Sequence, residues 1–185
     1  MVVFDKITVK FGEKTVLDNF CADVSDNHIT AVIGPSGSGK TTLMSVASGL
    51  IKPQGGKFIC DKKISVMFQQ PRLFPWLTAL ENVNIVASDN KTTIQLSKDM
   101  LLKVGINEFD KYPDQLSGGM KQRVAFARAL VYDADLMLLD EPFSALDETI
   151  RDDMLKILTA ANRQIIFVTH NRQELNIADK IIELK

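Results

Sequence analysis

A glycine-rich loop between an apolar strand and a helix constrains this fold more than any other feature of the sequence. The loop fits the pattern G-x-x-x-x-G-K-[ST] and consists of Gly34, Pro35, Ser36, Gly37, Ser38, Gly39, Lys40, Thr41 and Thr42. Its backbone N–H groups and the following helix N-terminus favour phosphate oxygens. Lys40 then reaches the β- and γ-phosphates, and the Thr41 hydroxyl takes a Mg²⁺ position. The alternative is a glycine-rich turn without a ligand.

Strand-like and helix-like segments alternate along the chain. Segments rich in β-branched residues predict strands at Val2–Val9, Ile29–Ile33, Ile64–Phe68, Leu136–Leu139, Ile165–Thr169 and Lys180–Leu184. Helical patterns cover Lys40–Gly49, Thr78–Ala87, Thr92–Val104, Gly118–Val131 and Glu148–Ala160. This alternation predicts an α/β fold with a mostly parallel sheet.

The stretch from about Pro71 to Asp133 interrupts this alternation, because it predicts helices and no strand. We interpret it as a helical subdomain, about 71–133, inserted into an α/β core of about 1–70 and 134–185. A length of 185 residues allows one full domain with a substantial core and is too short for two ordinary domains. The polar segment Ser88–Thr93 predicts a surface turn.

Composition narrows the class of protein. The formal net charge is -1, so no basic field favours nucleic acid as a partner. Cys21 and Cys60 fit no metal-ligand spacing and predict two reduced thiols in the core. The first residues do not resemble a signal peptide, and no apolar run reaches the about 18–20 residues that cross a bilayer. Any link to a membrane therefore requires a partner.

Two carboxylates follow the apolar strand at 136–139. Asp140 and Glu141 lie where an open α/β sheet binds ligands, at the carboxyl end of a strand, and Pro142 ends that strand. Adjacent carboxylates repel each other unless a cation or a shared proton relieves them. Asp140 can hold Mg²⁺, and Glu141 can polarise a water that attacks a phosphate. The alternative is a solvated acidic turn.

A second anion-binding pattern opens the helix at 118–131. Ser117 is a good N-cap, and the glycines Gly118 and Gly119 leave backbone N–H groups accessible. Taken alone, this pattern is also typical of an ordinary capped helix.

Together these segments resemble the ATP-binding domains of ABC transporters, in which a phosphate loop, an L-S-G-G-x signature and an acidic strand follow in that order. Leu116 to Met120 resembles the signature, and the resemblance covers essentially the whole chain. It implies a P-loop NTPase core with a mostly parallel sheet, a small antiparallel β edge and an inserted helical subdomain. It also implies Mg²⁺-dependent hydrolysis of ATP, with Glu141 as the catalytic base.

The resemblance assigns three further positions and one loop. Phe11 resembles the aromatic residue that stacks on adenine, although a strand-end hydrophobe would look the same. Gln69 resembles the glutamine that contacts Mg²⁺ and the attacking water, and His170 resembles the histidine that contacts the γ-phosphate. A structural histidine is the alternative at position 170. One segment resembles the loop that crosses the dimer interface in this family, and it consists of Ser144, Ala145, Leu146 and Asp147.

In this family two domains bind head to tail around ATP. The resemblance implies that Ser117, Gly118, Gly119 and Met120 act on the nucleotide of the partner, which is a second copy or a related ATPase chain. It also implies a complex with integral membrane permease subunits and a substrate-binding protein. In that complex the permease would hold the chain at the cytoplasmic face of the cell membrane, and the isolated chain would be soluble. The alternatives are a soluble ABC-type ATPase that does not transport and a regulator that does not turn over.

The segment from Gln69 to Val83, together with Met120, is similar to importer subunits of the nitrate, sulfonate and taurine group. Leu73, Phe74 and Trp76 would then receive a helix of the membrane subunit, and core packing is the alternative for these three. The stretch Gly55–Val66 is shorter than in most relatives, which predicts a trimmed antiparallel edge. With the chain stopping at Lys185, we expect no C-terminal regulatory domain.

Overall fold

The computed structural model describes residues 1–87 and 91–185, and two β-sheets organise the larger part of the fold. Its strands are β1 (Val2–Phe11), β2 (Lys14–Asp23), β3 (Ile29–Ile33), β4 (Gly55–Cys60), β5 (Ile64–Met67), β6 (Leu136–Asp140), β7 (Gln164–Val168) and β8 (Lys180–Glu183). One sheet has the order β2-β1-β4 and is antiparallel. The other has the order β5-β6-β7-β3-β8.

Parallel pairing dominates the five-stranded sheet, as the alternation of segments predicted. β3 pairs in parallel with β7 and β8, and β6 pairs in parallel with β7. β6 and β7 are buried along their whole length, which explains their continuous apolar sequences. The fold class is therefore confirmed, and the antiparallel strands form a sheet of their own beside it.

All five predicted helices are present, with ends within three residues of the predicted ones. They are α1 (Lys40–Ala47), α2 (Ala79–Asn84), α3 (Lys91–Lys103), α4 (Gly118–Val131) and α5 (Glu148–Thr159), with 3-10 helices at Pro113–Gln115 and Arg172–Ile177. The predicted turn at Ser88–Thr93 lies, in its first half, outside the described residues, and α3 begins at Lys91. Among the described residues, none of the helices is long and apolar enough to cross a membrane.

The chain divides into two compact units. The sheet unit comprises 1–66, 134–141 and 163–185, and the helical unit comprises 67–133 and 142–162. Both antiparallel strands and parallel strands contribute to the core of the sheet unit, which includes Phe4, Leu43, Leu138 and Ile166. Buried residues of the helical unit include Val83, Leu101, Val124, Phe126 and Phe143.

The two cysteines differ in exposure. Both are free thiols, and Cys60 is partly buried. Cys21 is exposed, so the prediction of a core position is wrong for it. The reason is its place on β2, a sheet-edge strand along which Leu17 is the buried residue.

Candidate functional site

Three neighbouring parallel strands bring the phosphate loop, the acidic pair and the histidine to one edge of the sheet. Val32 of β3 pairs with Val168 of β7, which pairs in turn with Asp140 of β6. We call this line of three residues the strand-end row. Beyond it, β3 continues through Ile33 into the loop at Gly34, and β7 continues through Thr169 to His170. Residues far apart in sequence therefore share one site in the sheet unit.

The phosphate loop folds onto its own lysine and onto β2. Lys40 Nζ donates to the carbonyls of Gly34 and Pro35, at 2.8 Å each. Gly39 has a φ of 96°, and a Cβ there would lie 2.9 Å from Val16 Cγ1. Only glycine meets both demands, because the left-handed conformation and the close approach each oppose a side chain. Ser38 Oγ is buried and has no partner among the described residues.

Asp140 is a buried carboxylate at the end of β6 with a side-chain hydrogen bond to Thr41. Its Oδ1 is buried and has no partner among the described residues. Burial raises the pKa of Asp140, the Thr41 hydrogen bond lowers it, and the charge of Glu141 raises it further. A carboxylate oxygen left without a donor, beside a hydroxyl, suits the oxygen coordination that Mg²⁺ prefers.

Within 1–87 and 91–185, no group of three or more His, Cys, Asp or Glu side chains could hold a metal ion. In phosphoryl-transfer sites, Mg²⁺ is bound through one or two carboxylates together with phosphate oxygens of the substrate.

Glu141 follows Asp140 with a left-handed backbone, at a φ of 48°. Its N–H donates to Val168 O at 3.1 Å, which ties the turn to the strand-end row. Glu141 Oε1 lies 3.6 Å from His170 Nδ1, too long for a hydrogen bond but within ion-pair distance if the histidine is protonated. The Glu141 side chain is 19% exposed and that of His170 is 65% exposed, so both groups can meet a ligand.

Phe11 ends β1, and its side chain is 53% exposed. It pairs with Lys14, the first residue of β2, whose Val16 and Leu17 lie against Gly39 of the phosphate loop. β2 therefore lies beside both the exposed aromatic ring and the phosphate loop. The exposed ring can meet a ligand, and its role as the adenine-stacking residue stays a prediction beside the alternative of a strand-end hydrophobe.

The signature residues form the first turn of α4 in the helical unit. Ser117 is exposed, and its Oγ accepts a hydrogen bond from Met120 N at 3.2 Å, as the N-cap prediction required. Gly118 is exposed and Gly119 is partly buried. A Cβ on Gly119 would lie 3.2 Å from Ala145 O, so the predicted interface loop packs against this turn.

The predicted interface loop, Ser144 to Asp147, precedes α5. Asp147 is the N-cap of that helix and accepts a hydrogen bond from Ile150 N at 3.0 Å. The structure thus brings the signature turn and this loop together within the helical unit.

Gln69 belongs to the helical unit and is exposed, two residues after the end of β5. Arg128 of α4 holds the following segment, donating to the carbonyls of Pro71 at 2.8 Å and Arg72 at 3.1 Å. Further along, Trp76 is 69% exposed and Phe74 is 38% exposed. Their rings lie 5.5 Å apart at the surface, so core packing does not explain Trp76.

Sequence reasoning did not find two buried amides that hold these segments. Gln122 of α4 contacts the interface loop, and Asn82 of α2 contacts the backbone around Phe74. The signal available in the sequence was a polar residue on an otherwise apolar helix face, which does not identify its partner.

A phosphate loop after β3 and an acidic pair after β6, with β7 between these two strands, define a P-loop nucleotide-binding protein. The family model described as ABC transporter matches residues 17–144. The aliphatic sulfonates import ATP-binding protein SsuB 1 of Paracoccus denitrificans is 37% identical over 192 residues, covering 100% of this chain and 79% of that protein. The bicarbonate transport ATP-binding protein CmpD of Synechocystis is 40% identical over 191 residues, covering 92% and 68%.

A solved structure gives the same result at the level of the fold. The ATP-binding cassette MJ0796, in a dimeric post-hydrolysis state bound to ADP and phosphate, superposes with a TM-score of 0.92 and 30% identity. The match covers 100% of this chain and 94% of that one. The chain described here therefore belongs to the ABC transporter ATP-binding family, and ATP is its nucleotide.

Proposed function

We propose that this chain is the ATP-hydrolysing subunit of an ABC importer of the nitrate, sulfonate and taurine type. The strand-end row is the observation that supports it, because it places Asp140 and Glu141 beside the phosphate loop and His170. The import direction is supported by the name of the sulfonate relative, an import ATP-binding protein.

Each residue of the sheet unit has a separate role in this proposal. Phe11 stacks on adenine, and the backbone of 34–42 surrounds the phosphates. Lys40 exchanges its two carbonyl partners for β- and γ-phosphate oxygens. Mg²⁺, when bound, neutralises charge on those oxygens, and Asp140, Thr41 and Gln69 would hold it.

Hydrolysis then requires an activated water. Glu141 accepts the proton of a water whose oxygen bonds to the γ-phosphorus, while the bond from that phosphorus to the β–γ bridging oxygen breaks. His170 and Gln69 orient the γ-phosphate and the water. The products are ADP and phosphate.

The remaining residues act on a partner. Ser117, Gly118, Gly119 and Met120 bind the γ-phosphate held by a second ATPase chain, either another copy or a relative, and 144–147 crosses the interface. ATP therefore joins the two chains, and hydrolysis releases them. Phe74 and Trp76 dock on integral permease subunits at the cytoplasmic face of the membrane, in a complex that also includes a substrate-binding protein.

ATP hydrolysis by the purified chain over a range of protein concentrations tests this proposal. We expect activity to rise faster than linearly with concentration, and Glu141→Gln to lower it by about 10²–10⁴, as for loss of a general base. ATP should trap Glu141→Gln as a dimer. The control Asp152→Asn removes an exposed charge from α5 and should leave the rate unchanged. Linear activity from a monomer, or a fully active Glu141→Gln, would contradict the shared site.

A further inference from the structure

We propose that Gln122 is a positioning residue that fixes the interface loop, 144–147, against the signature turn. The two segments would then meet a partner chain as one preformed surface. This inference rests on the proposed dimeric function and adds a residue that lies outside the binding segments themselves.

Gln122 is 2% exposed, and its amide joins α4 to the loop at two points. Its Oε1 accepts a hydrogen bond from Ala145 N at 3.1 Å, and its Nε2 donates to Ser144 Oγ at 3.4 Å. Any arrangement that leaves this buried amide without hydrogen-bond partners has a higher free energy. The loop and the helix therefore favour the single arrangement in which both bonds form.

The contacts on either side of Gln122 lie on the same face of α4. Residues 119, 122 and 126 follow the spacing i, i+3 and i+7, which places them in one line along a helix. Gly119 lies close to Ala145 O, and Phe126 packs edge-on against Phe143, with ring centroids 5.4 Å apart. One helix face therefore contacts the segment from 143 to 146 continuously.

Gln122 adds polar contacts to this face, through a backbone N–H and a hydroxyl group of the loop. Phe143 fixes the start of the loop in the buried core, and Asp147 fixes its end by capping α5. Without the amide, Ser144 and Ala145 would lie between two fixed ends but would no longer be held in place against Gly119. The signature turn would keep its fold, because its own cap is the bond between Ser117 and Met120.

The test compares Gln122→Met with its parent in the Glu141→Gln background, where ATP should trap the dimer. Methionine keeps the length of the side chain and removes both hydrogen bonds. We expect the dimer dissociation constant with ATP, measured by sedimentation, to rise about tenfold, as for the loss of two modest hydrogen bonds. ATP affinity of the monomer should not change. Amide hydrogen exchange at Ala145 should become faster.

Gln164→Met is the matched control, since Gln164 is another buried glutamine, in the sheet unit, with bonds to Asn27 O and Lys62 Nζ. It should lower the melting temperature and leave the dissociation constant unchanged. If Gln122→Met does not fold, Gln122→Asn is measured instead, because its amide is one methylene too short for both partners.

The outcomes separate the two proposals. A parent that stays monomeric with ATP overturns the shared-site function, and the role of Gln122 with it. A parent that dimerises, with a Gln122 variant that dimerises equally tightly, overturns the role of Gln122 alone. Equal Ala145 exchange in both would overturn it as well.

Discussion

At the scale of single residues, the buried carboxylate of Asp140 lowers the stability of the fold when it is ionised. It is 3% exposed and one of its oxygens has no partner among the described residues. Burial is the main cause that raises its pKa above the ordinary 3.8, against the opposing Thr41 hydrogen bond and Lys40 charge. The native state therefore binds this proton more tightly than the unfolded chain does, and the ionised group lowers stability.

We predict that Asp140→Asn stabilises the nucleotide-free chain at neutral pH while abolishing ATP hydrolysis. Removing the charge should raise Tm by about 2–4 °C, the shift that ~1 kcal/mol produces in a chain of this length. The increase in Tm should be complete above the native pKa of Asp140. It should vanish as the pH falls to 3.8, because Asp140 is then protonated in the native state and becomes protonated in the unfolded chain as well. Thermal unfolding followed by circular dichroism over pH measures this.

Asp152→Asn is the control for this experiment, since Asp152 is exposed on α5 and should leave Tm unchanged. A lower Tm for Asp140→Asn at pH 8 would show that the ionised carboxylate is stabilising and not a cost.

The residues whose positions were predictable are those with a purely local signature. The loop at 34–42 and the pair at 140–141 each need only a strand before them, so a short stretch of sequence indicates where they lie. Gln122 was not predictable, because its partners Ser144 and Ala145 follow more than twenty residues later, beyond a whole strand. Side-chain roles that depend on tertiary contacts leave little trace in local spacing.

At the scale of elements, α2 is a short helix that organises the loop before it. Asn82 is 0% exposed, and its Oδ1 accepts from Phe74 N at 2.8 Å. Its Nδ2 donates to the carbonyls of Phe74, Leu77 and Thr78, at 3.1, 2.9 and 3.0 Å. One side chain therefore holds both ends of the loop in which Trp76 lies.

We predict that Asn82→Leu loosens this loop. The unfolding free energy should fall by about 1–3 kcal/mol, because buried backbone groups lose their partner. Trp76 is the only tryptophan of the chain, so its fluorescence anisotropy reports the loop directly and should decrease. Asn84→Leu, also in α2, removes the hydrogen bond that Ser97 Oγ of α3 donates to Asn84 Oδ1, and it should leave the anisotropy unchanged. An unchanged anisotropy in Asn82→Leu would mean that the loop is held by other contacts.

The two strands absent from the sequence prediction, β2 and β4, share a physical reason. Both lie at the edges of the antiparallel sheet, where few side chains are buried. β2 has Leu17 as its buried residue and a left-handed Asn19 that interrupts the alternation, and β4 begins with Gly55 and Gly56. The central strands were predictable because burial on both faces leaves an apolar run.

At the scale of the whole molecule, the exposed apolar side chains include paired rings and single residues. In the helical unit, Trp76 and Phe74 form a tilted aromatic pair in a loop fixed by Asn82. In the sheet unit, Leu50 is a single aliphatic residue with 58% exposure. Rigid aromatic pairs are typical of binding hot spots, whereas single exposed aliphatic residues are common on any surface.

We predict that Trp76→Ser separates ATP hydrolysis from its coupling to the permease. The isolated chain should hydrolyse ATP at an unchanged rate and unfold at nearly the same temperature, because a side chain with 69% exposure adds little to the core. Half-maximal stimulation by permease reconstituted in vesicles should require a concentration of the chain that is higher by about tenfold or more. This is the loss of affinity that follows removal of an aromatic hot spot. Leu50→Ser is the matched control and should behave as the parent in both assays. Full stimulation of Trp76→Ser would place the docking surface elsewhere on the chain, while a lost basal rate would mean that this loop contributes to the ATP site itself.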